Sequence, residues 1–167
     1  MENIESIRQS YKPERIRVLF IGESAPGSGD FFYKGDNLCG HTKEAFSVIY
    51  PEVQSMSKMQ FLDFFKQCGC FLDDLCHIPV NYETKAERHQ EHERGVPQLS
   101  ERIKEYKPDY IITIMLGIRK HIKKAMLLSR QHVIKDYAIP YGGNGHQNRY
   151  KENLAEILQE LKQKGVL

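Results

Sequence analysis

Val18-Leu-Phe-Ile-Gly-Glu-Ser-Ala-Pro-Gly-Ser-Gly-Asp-Phe-Phe-Tyr33 carries more structural information than any other segment of this chain. Its first four residues are apolar and predict a buried strand. Gly22 then begins a loop that contains a carboxylate, a hydroxyl group and three glycines, and that ends in three consecutive aromatic residues. In an open α/β sheet, ligands bind where the carboxyl ends of the strands open into loops. The segment therefore predicts one wall of a pocket for a planar, polar molecule such as a nucleobase.

Predicted strands and helices alternate along the rest of the chain. Apolar runs predict three further strands, over residues 70–78, 110–116 and 132–139. Helical spacing of apolar side chains, with Thr42 and Ser57 as caps, predicts helices over residues 42–50, 57–67, 95–106, 118–128 and 148–164, and the polar segment 5–12 is interpreted as a short helix or turn. The charged run 83–94 is interpreted as an exposed loop or a helix start. This order predicts one α/β domain over residues 1–167, a three-layer α/β/α sandwich with a central, mainly parallel four-stranded sheet.

Composition narrows the class of protein. A chain of 167 residues with 40% hydrophobic and 28% charged residues is typical of a single globular domain. The first residues lack the pattern of a signal peptide, and no apolar run approaches the roughly 20 residues that span a bilayer, so we expect a cytoplasmic protein without membrane contact. The net charge of +2 is weak evidence for a nucleic-acid partner. However, basic residues cluster at Arg119, Lys120, Lys123 and Lys124, which indicates either a solvated helix face or a phosphate-facing patch.

The four cysteines do not predict a metal site. Cys68-Gly-Cys70 with Cys76-His77 nearby is tighter than the C-x2-4-C spacing of structural zinc sites. Cys70 and Cys76 also fall in a predicted buried strand, where a free cysteine behaves as a small apolar residue. We therefore expect reduced cysteines, no metal and no cofactor.

Polar and aromatic residues recur where predicted strands end. The first such loop carries Glu23, Ser24, Phe31 and Phe32, the second carries Asn81 and Tyr82, and the last carries Asn144, His146 and Gln147. Each has an ordinary structural explanation by itself, since Asn81 suits an Asx-turn and phenylalanines are usually core residues. Their joint occurrence at one edge of a parallel sheet favours a binding site.

The glycine-rich segment 142–145 precedes the last predicted helix. Backbone N–H groups of such loops, here those of Gly143 and Gly145, can hold a phosphate at a helix N-terminus. The G-K-[ST] ending of a Walker loop and the G-x-G-x-x-G dinucleotide pattern are both absent from the sequence. Kinase and ATPase functions are correspondingly disfavoured.

The segment Ile21-Gly-Glu-Ser-Ala-Pro-Gly27, followed by Phe31-Phe-Tyr33, resembles the first motif of the uracil-DNA glycosylase superfamily. Members carry strand-end motifs such as G-Q-D-P-Y-H, G-E-A-P-G or G-I-N-P-G. As an order of elements the resemblance covers most of the chain. As sequence it is specific at residues 22–33 and, more weakly, at residues 140–149.

This resemblance implies a DNA glycosylase of base-excision repair. Such an enzyme hydrolyses the N-glycosidic bond of a deaminated or damaged base, uracil first, that is flipped out of single- or double-stranded DNA. The implied roles are water activation by Glu23 or Ser24, stacking by Phe31 or Phe32, and stabilisation of the departing base by His146. The base would be bound by Asn144 and by Asn81, or else Asp74, and phosphates by Arg119 and Lys120. We further expect a monomer.

The chain departs from the family pattern at three points. Ala25 makes the first loop one residue longer than G-E-A-P-G, and Ser24 stands where G-Q-D-P-Y-H has its aspartate. The loop before the last helix reads Gly-Asn-Gly-His-Gln and offers no obvious apolar wedge to replace a flipped base. Two alternatives therefore stay open, a hydrolase or binding protein for free nucleosides or nucleotides and a non-catalytic nucleic-acid-binding module.

Overall fold

The computed structural model describes residues 3–81, 83–141 and 147–167. Its centre is a sheet of four parallel strands in the order β2-β1-β3-β4. The predicted α/β fold with a parallel four-stranded sheet is therefore confirmed. The strands are β1 (Val18–Ser24), β2 (Cys70–Cys76), β3 (Tyr110–Ile114) and β4 (Lys135–Ile139).

Helices cover both faces of the sheet. Helices α4 and α5 pack together and α4 covers β2 on one side, whereas α2 packs against α3 and α6 on the other. Two short 3-10 turns, Pro51–Ser55 and Leu116–Ile118, follow α2 and β3. The helices are α1 (Ile4–Ser10), α2 (Asn37–Ile49), α3 (Lys58–Gln67), α4 (Lys85–Tyr106), α5 (Arg119–Ser129) and α6 (Gln147–Gln163).

Strand β1 is longer than the sequence indicates. Residues 22–24 were expected in the loop, but Gly22 pairs with Asp74 and Ser24 pairs with Cys76, so β1 continues along β2 to Ser24. Gly22, Glu23 and Ser24 interrupt the apolar pattern of residues 18–21, so the sequence indicates that the strand ends there. Their backbone nevertheless continues the strand beside β2. The predicted strands at 70–78, 110–116 and 132–139 are conversely two to three residues too long.

Helix α4 decides between the two interpretations of the charged run. The helix begins at Lys85, ten residues before the predicted start at Gly95, so residues 85–94 form a helix start and not an exposed loop. Thr84 and Glu87 close a capping box there, each side chain accepting a hydrogen bond from the other residue's backbone N–H. Because this half of the helix is mostly charged, apolar periodicity gave no signal for it.

The two predicted helix caps have different outcomes. Ser57 caps α3, and its hydroxyl accepts a hydrogen bond from the Gln60 backbone N–H, as expected. Thr42 was expected to begin a helix but lies inside α2, which starts at Asn37. Its buried hydroxyl donates to the Leu38 carbonyl and lies 2.8 Å from the Tyr150 hydroxyl of α6. Thr42 therefore joins two helices instead of starting one.

The core encloses the strands and the aromatic residues that follow β1. Phe31, Phe32 and Tyr33 are all at most 4% exposed, and Phe32 packs against Phe65 of α3 with ring centroids 5.3 Å apart. Cys70 and Cys76 are buried in β2, as predicted. Within the described residues, no helix combines the length and apolar character needed to cross a membrane.

Candidate functional site

A cavity of about 320 Å³ opens at the carboxyl edge of the sheet. The ends of β1, β2 and β3 form its floor, and the loop after β1 forms one wall. The connection after β1 runs to β2 on one side and the connection after β3 runs to β4 on the other, and ligands of open α/β sheets bind where the direction reverses in this way. The residues that line the cavity include Glu23, Ser24, Phe31, Phe32, Asp74, Asn81, Met115 and Tyr141.

Asp74 supplies a buried carboxyl group to this cavity. It stands opposite Gly22 in the sheet, and a Cβ atom at position 22 would lie only 2.7 Å from Asp74 Oδ1. Glycine in β1 thus leaves the space that this carboxyl occupies. The side chain of Arg8, from α1, donates a hydrogen bond from Nη2 to Asp74 Oδ2 at 2.7 Å. Burial nevertheless outweighs the arginine charge and, with the nearby charge of Asp73, raises the pKa of Asp74 to about 6.

The neighbouring carboxyl of Asp73 behaves in the opposite way. Burial disfavours its charge, but a hydrogen bond from His77 and the charges of Arg102 and Arg8 prevail and lower its pKa to about 2. The distances are 2.7 Å from Asp73 Oδ1 to His77 Nε2 and 2.7 Å from Oδ2 to Arg102 Nε. Near neutral pH Asp73 is therefore ionised, whereas Asp74 exchanges between its neutral and charged forms.

Glu23 is held in place by two side chains of α4. Arg88 donates from Nε to Oε2 at 2.8 Å and from Nη2 to Oε1, and His92 Nε2 lies 2.8 Å from Oε2. Both carboxylate oxygens therefore have partners, and Oε1 has the single partner Arg88 among the described residues. The sequence analysis did not identify Arg88 and His92 as site residues. Their i, i+4 spacing, together with the Thr84-x-x-Glu87 cap, is the pattern that indicates one helix face.

Phe31 and Phe32 serve both the core and the cavity. Each lines the cavity although each is nearly buried. The Phe31 ring lies 5.9 Å from the guanidinium carbon of Arg8, and the Phe32 ring meets Tyr33 edge-on with centroids 4.9 Å apart. The two aromatic walls are thereby fixed before any ligand arrives.

Ser24 and Asn81 connect the loops around the cavity. Ser24 Oγ accepts a hydrogen bond from the Val80 backbone N–H at 3.3 Å, and Asn81 Oδ1 accepts one from the Gly27 backbone N–H at 3.1 Å. The loop after β2 is thus tied to the loop after β1. Both side chains line the cavity as the sequence analysis expects, but each has a structural contact as well.

Several predicted site residues lie outside the described part of the chain. They are Tyr82 and, in the segment before α6, Gly143, Asn144, Gly145 and His146. Immediately before that segment, Tyr141 lines the cavity and packs edge-on against Tyr150, with ring centroids 5.0 Å apart.

Arg119 and Lys120 begin α5, directly after the turn that follows β3. They do not line the cavity, although they lie at the same edge of the sheet. Arg119 Nη2 is 3.5 Å from Asp136 Oδ2, and its side chain remains 43% exposed. Their role in binding phosphates stays a prediction.

Met115 contributes a strained backbone to the cavity. It follows β3 with a φ of 92°, a conformation that residues with a side chain rarely adopt, and its N–H is held by the Ile139 carbonyl at 2.9 Å. Such residues store about 1–3 kcal/mol and cluster at ligand-binding sites. The strain therefore favours the carboxyl edge as the functional one, although a larger depression of about 830 Å³ lies at the opposite edge, around Arg15 and Arg17.

Comparison with known proteins does not assign a family or a function to this cavity. No protein-family model matches the chain, and no curated protein matches it.

Proposed function

We propose that this protein is a DNA glycosylase-like enzyme of the uracil-DNA glycosylase superfamily. Its substrate would be a deaminated base, uracil first, flipped out of DNA into the cavity at the carboxyl edge. The observation that carries the proposal is the cavity itself, which combines two fixed aromatic walls with a buried carboxyl whose pKa is raised to about 6, Asp74, and an oriented carboxylate, Glu23.

Asp74 suits the recognition of an imide edge better than Asn81. A neutral carboxyl group donates one hydrogen bond and accepts another, which matches a carbonyl beside an N–H on a base such as uracil. Asp74 is 5% exposed, lines the cavity and stands opposite Gly22, whereas Asn81 is exposed and its side-chain oxygen already accepts a hydrogen bond from the Gly27 N–H. The raised pKa of Asp74 keeps the donor form populated near pH 6.

Glu23 suits the activation of water. In hydrolysis, a water oxygen bonds to the sugar C1′ while the C–N bond breaks and its electron pair leaves with the base. The second lone pair of Glu23 Oε1 can accept a hydrogen bond from that water and then its proton, while Arg88 and His92 keep the carboxylate in position. His146 would stabilise the departing base, as the family resemblance implies.

The turn that follows the cavity residue Met115 carries an exposed apolar side chain that the sequence analysis did not identify. Leu116 follows Met115 in the turn after β3 and is 54% exposed. Proteins that distort DNA often insert an apolar side chain into the base stack. We assign to Leu116 the role of filling the space that the flipped base leaves.

A base-release assay with variants at position 74 tests the proposal. Oligonucleotides carrying uracil, hypoxanthine, xanthine or a mismatched thymine are offered in single- and double-stranded form. We expect release whose rate falls as pH rises through about 6, because the neutral form of Asp74 is the one that binds the base. Asp74→Asn keeps a donor and an acceptor, so it should stay active without this fall, whereas Asp74→Ala should lose activity. Asp63→Asn, at the opposite edge, is the matched control.

Two further variants test the other roles. Glu23→Gln should lower the rate of base release about 100-fold or more while DNA binding persists, since base catalysis contributes at least that factor.

Leu116→Ala should slow base release from double-stranded DNA more than from single-stranded DNA, whereas Leu127→Ala, which changes an exposed leucine on α5, should change neither rate. If no base is released from any oligonucleotide, the glycosylase proposal is wrong. Hydrolysis of free nucleosides, or DNA binding without release, would then identify one of the two alternative functions.

A further inference from the structure

A cluster of histidine and glutamate side chains lies between α4 and α5, behind Glu23 and outside the cavity. His89 and Glu93 are one helical turn apart on α4, and His121 faces them from α5. One ligand atom from each of the three residues lies within 4.8 Å of the other two. The proposed base-excision chemistry does not use these three residues.

His121 is the unusual member of this cluster. Its side chain is 1% exposed, yet neither ring nitrogen makes a hydrogen bond within the described part of the chain. Nε2 lies 3.0 Å from Glu93 Oε1 but is not aligned for a hydrogen bond. Buried polar groups are nearly always satisfied, and a bound ion is one of the standard explanations for an exception.

The distances between the three groups fit a tetrahedral ion. Zn–N and Zn–O bonds of about 2.0–2.1 Å place neighbouring ligand atoms roughly 3.3 Å apart. Glu93 Oε1 is 3.0 Å from His121 Nε2 and 4.0 Å from His89 Nε2, which brackets that separation. Small movements of His89 and Glu93, whose side chains are 55% and 42% exposed, bring all three atoms to one centre.

We propose that His89, Glu93 and His121 bind a zinc ion that joins α4 to α5. Two imidazoles and one carboxylate form a familiar zinc donor set, with water as the fourth ligand. Glu93 now pairs with Lys124 Nζ, at 3.1 Å from Oε1, and the ion would replace this ammonium group. The site is independent of the proposed glycosylase activity. It differs from the cysteine cluster at residues 68–77, which the sequence analysis rejected as a metal site.

Metal titration of the full-length, chelator-treated protein tests this site. Calorimetry with ZnCl₂ should give one ion per chain, and zinc should raise the melting temperature. His89→Ala and Glu93→Gln should each lower the affinity at least about tenfold, because losing even an outer-sphere partner costs 10–100-fold. Both side chains are exposed, so these variants should fold. Lys124→Ala should instead tighten binding, since it removes the competing cation from Glu93.

Matched controls separate this site from other zinc-binding groups. Glu101→Gln, on the same helix two turns away, and His132→Ala, an exposed histidine outside the cluster, should leave the affinity unchanged. Co²⁺ replaces Zn²⁺ as a spectroscopic probe and should show tetrahedral bands without thiolate charge-transfer absorption. Equal zinc affinity in the wild type, His89→Ala and Glu93→Gln, a thiolate spectrum or no binding would each overturn the proposal.

Discussion

At the scale of single residues, Asp73 and Asp74 show how one strand holds two carboxyl groups in opposite states. Both are buried in β2, so burial disfavours the charge of each. The Asp73 carboxylate is bound by His77 and Arg102 in addition to the more distant Arg8, whereas among the described residues the Asp74 carboxyl has Arg8 as its one direct side-chain partner. The number of donors therefore decides which carboxyl is ionised. Paired carboxyl groups with separated pKa values are common at sites of acid–base chemistry.

The raised pKa of Asp74 predicts how stability depends on pH. Between its ordinary pKa of 3.8 and its folded value of about 6, the folded state binds more protons than the unfolded state. The free energy of unfolding should therefore fall as pH rises through this window. Relative to Asp74→Asn, which cannot titrate, the wild type should lose roughly 2–3 kcal/mol between pH 4 and pH 7. Urea denaturation of both proteins across this range measures the difference. A difference that does not change with pH would contradict the prediction.

The backbone of Met115 predicts an inversion of the usual order of alanine and glycine. Glycine is ordinarily less stable than alanine by about 0.5–1 kcal/mol within regular structure. At a φ of 92°, however, alanine keeps the steric conflict that glycine avoids. We expect Met115→Gly to be more stable than Met115→Ala by about 1 kcal/mol, measured by thermal denaturation. Since both variants remove the packing of the methionine side chain, the comparison isolates the backbone. If Met115→Ala were instead more stable than Met115→Gly, the backbone of residue 115 would not be strained.

At the scale of elements, α4 depends on the absence of a side chain at Gly95. A Cβ atom there would lie 2.5 Å from the Leu75 carbonyl oxygen of β2, so the helix could not keep its present distance from the sheet. We expect Gly95→Ala to destabilise the protein by about 1–3 kcal/mol. Gly40→Ala in α2 is the control, because a Cβ atom there meets nothing within 4 Å and should stabilise by about 0.5–1 kcal/mol. Chemical denaturation distinguishes the two, and equal effects would refute the packing argument.

Helix α4 also shows where prediction from sequence fails at this scale. Apolar periodicity located the strands and most helices, because their core faces carry regular patterns, as Tyr110–Ile114 does. The first half of α4 instead contacts Glu23 through the polar side chains of Arg88 and His92. The only local sequence signal for its start is the capping box that Thr84 forms with Glu87. Nothing in the polar segment of α1 indicated that Arg8 would be buried against Asp74. Pairing between buried polar groups depends on tertiary contacts that local patterns do not encode.

At the scale of the whole molecule, topology places the cavity. Alternating strands and helices predicted a parallel sheet, and the order β2-β1-β3-β4 puts the reversal between the central strands β1 and β3. The loop after β1 was therefore predictable as a wall of the site. The proposed role of Asp74 in place of Asn81 was not predictable, because it depends on the pairing of Gly22 with Asp74 on the neighbouring strand and on the direction of each side chain.

The distribution of charge over the molecule yields the last prediction. The chain has a net charge of only +2, so the proposed DNA binding at the carboxyl edge must depend on where its cations lie. Removing Arg119 and Lys120 together should reduce the slope of log affinity against log salt by about 1–2 for a single-stranded oligonucleotide, since each phosphate contact contributes about 0.7. The matched double variant Arg15→Ala, Arg17→Ala removes the same charge from the opposite edge.

Because the two double variants have equal net charge, long-range attraction of DNA changes equally in both. A smaller slope in the Arg119→Ala, Lys120→Ala protein alone therefore reports direct phosphate contacts beside the cavity. Fluorescence anisotropy at several salt concentrations measures both slopes. Equal slopes in the two variants would mean that the basic start of α5 is a solvated helix face. A smaller slope in the Arg15→Ala, Arg17→Ala protein would move the DNA to the edge of the sheet opposite Glu23 and Asp74, where neither carboxyl could reach a flipped base.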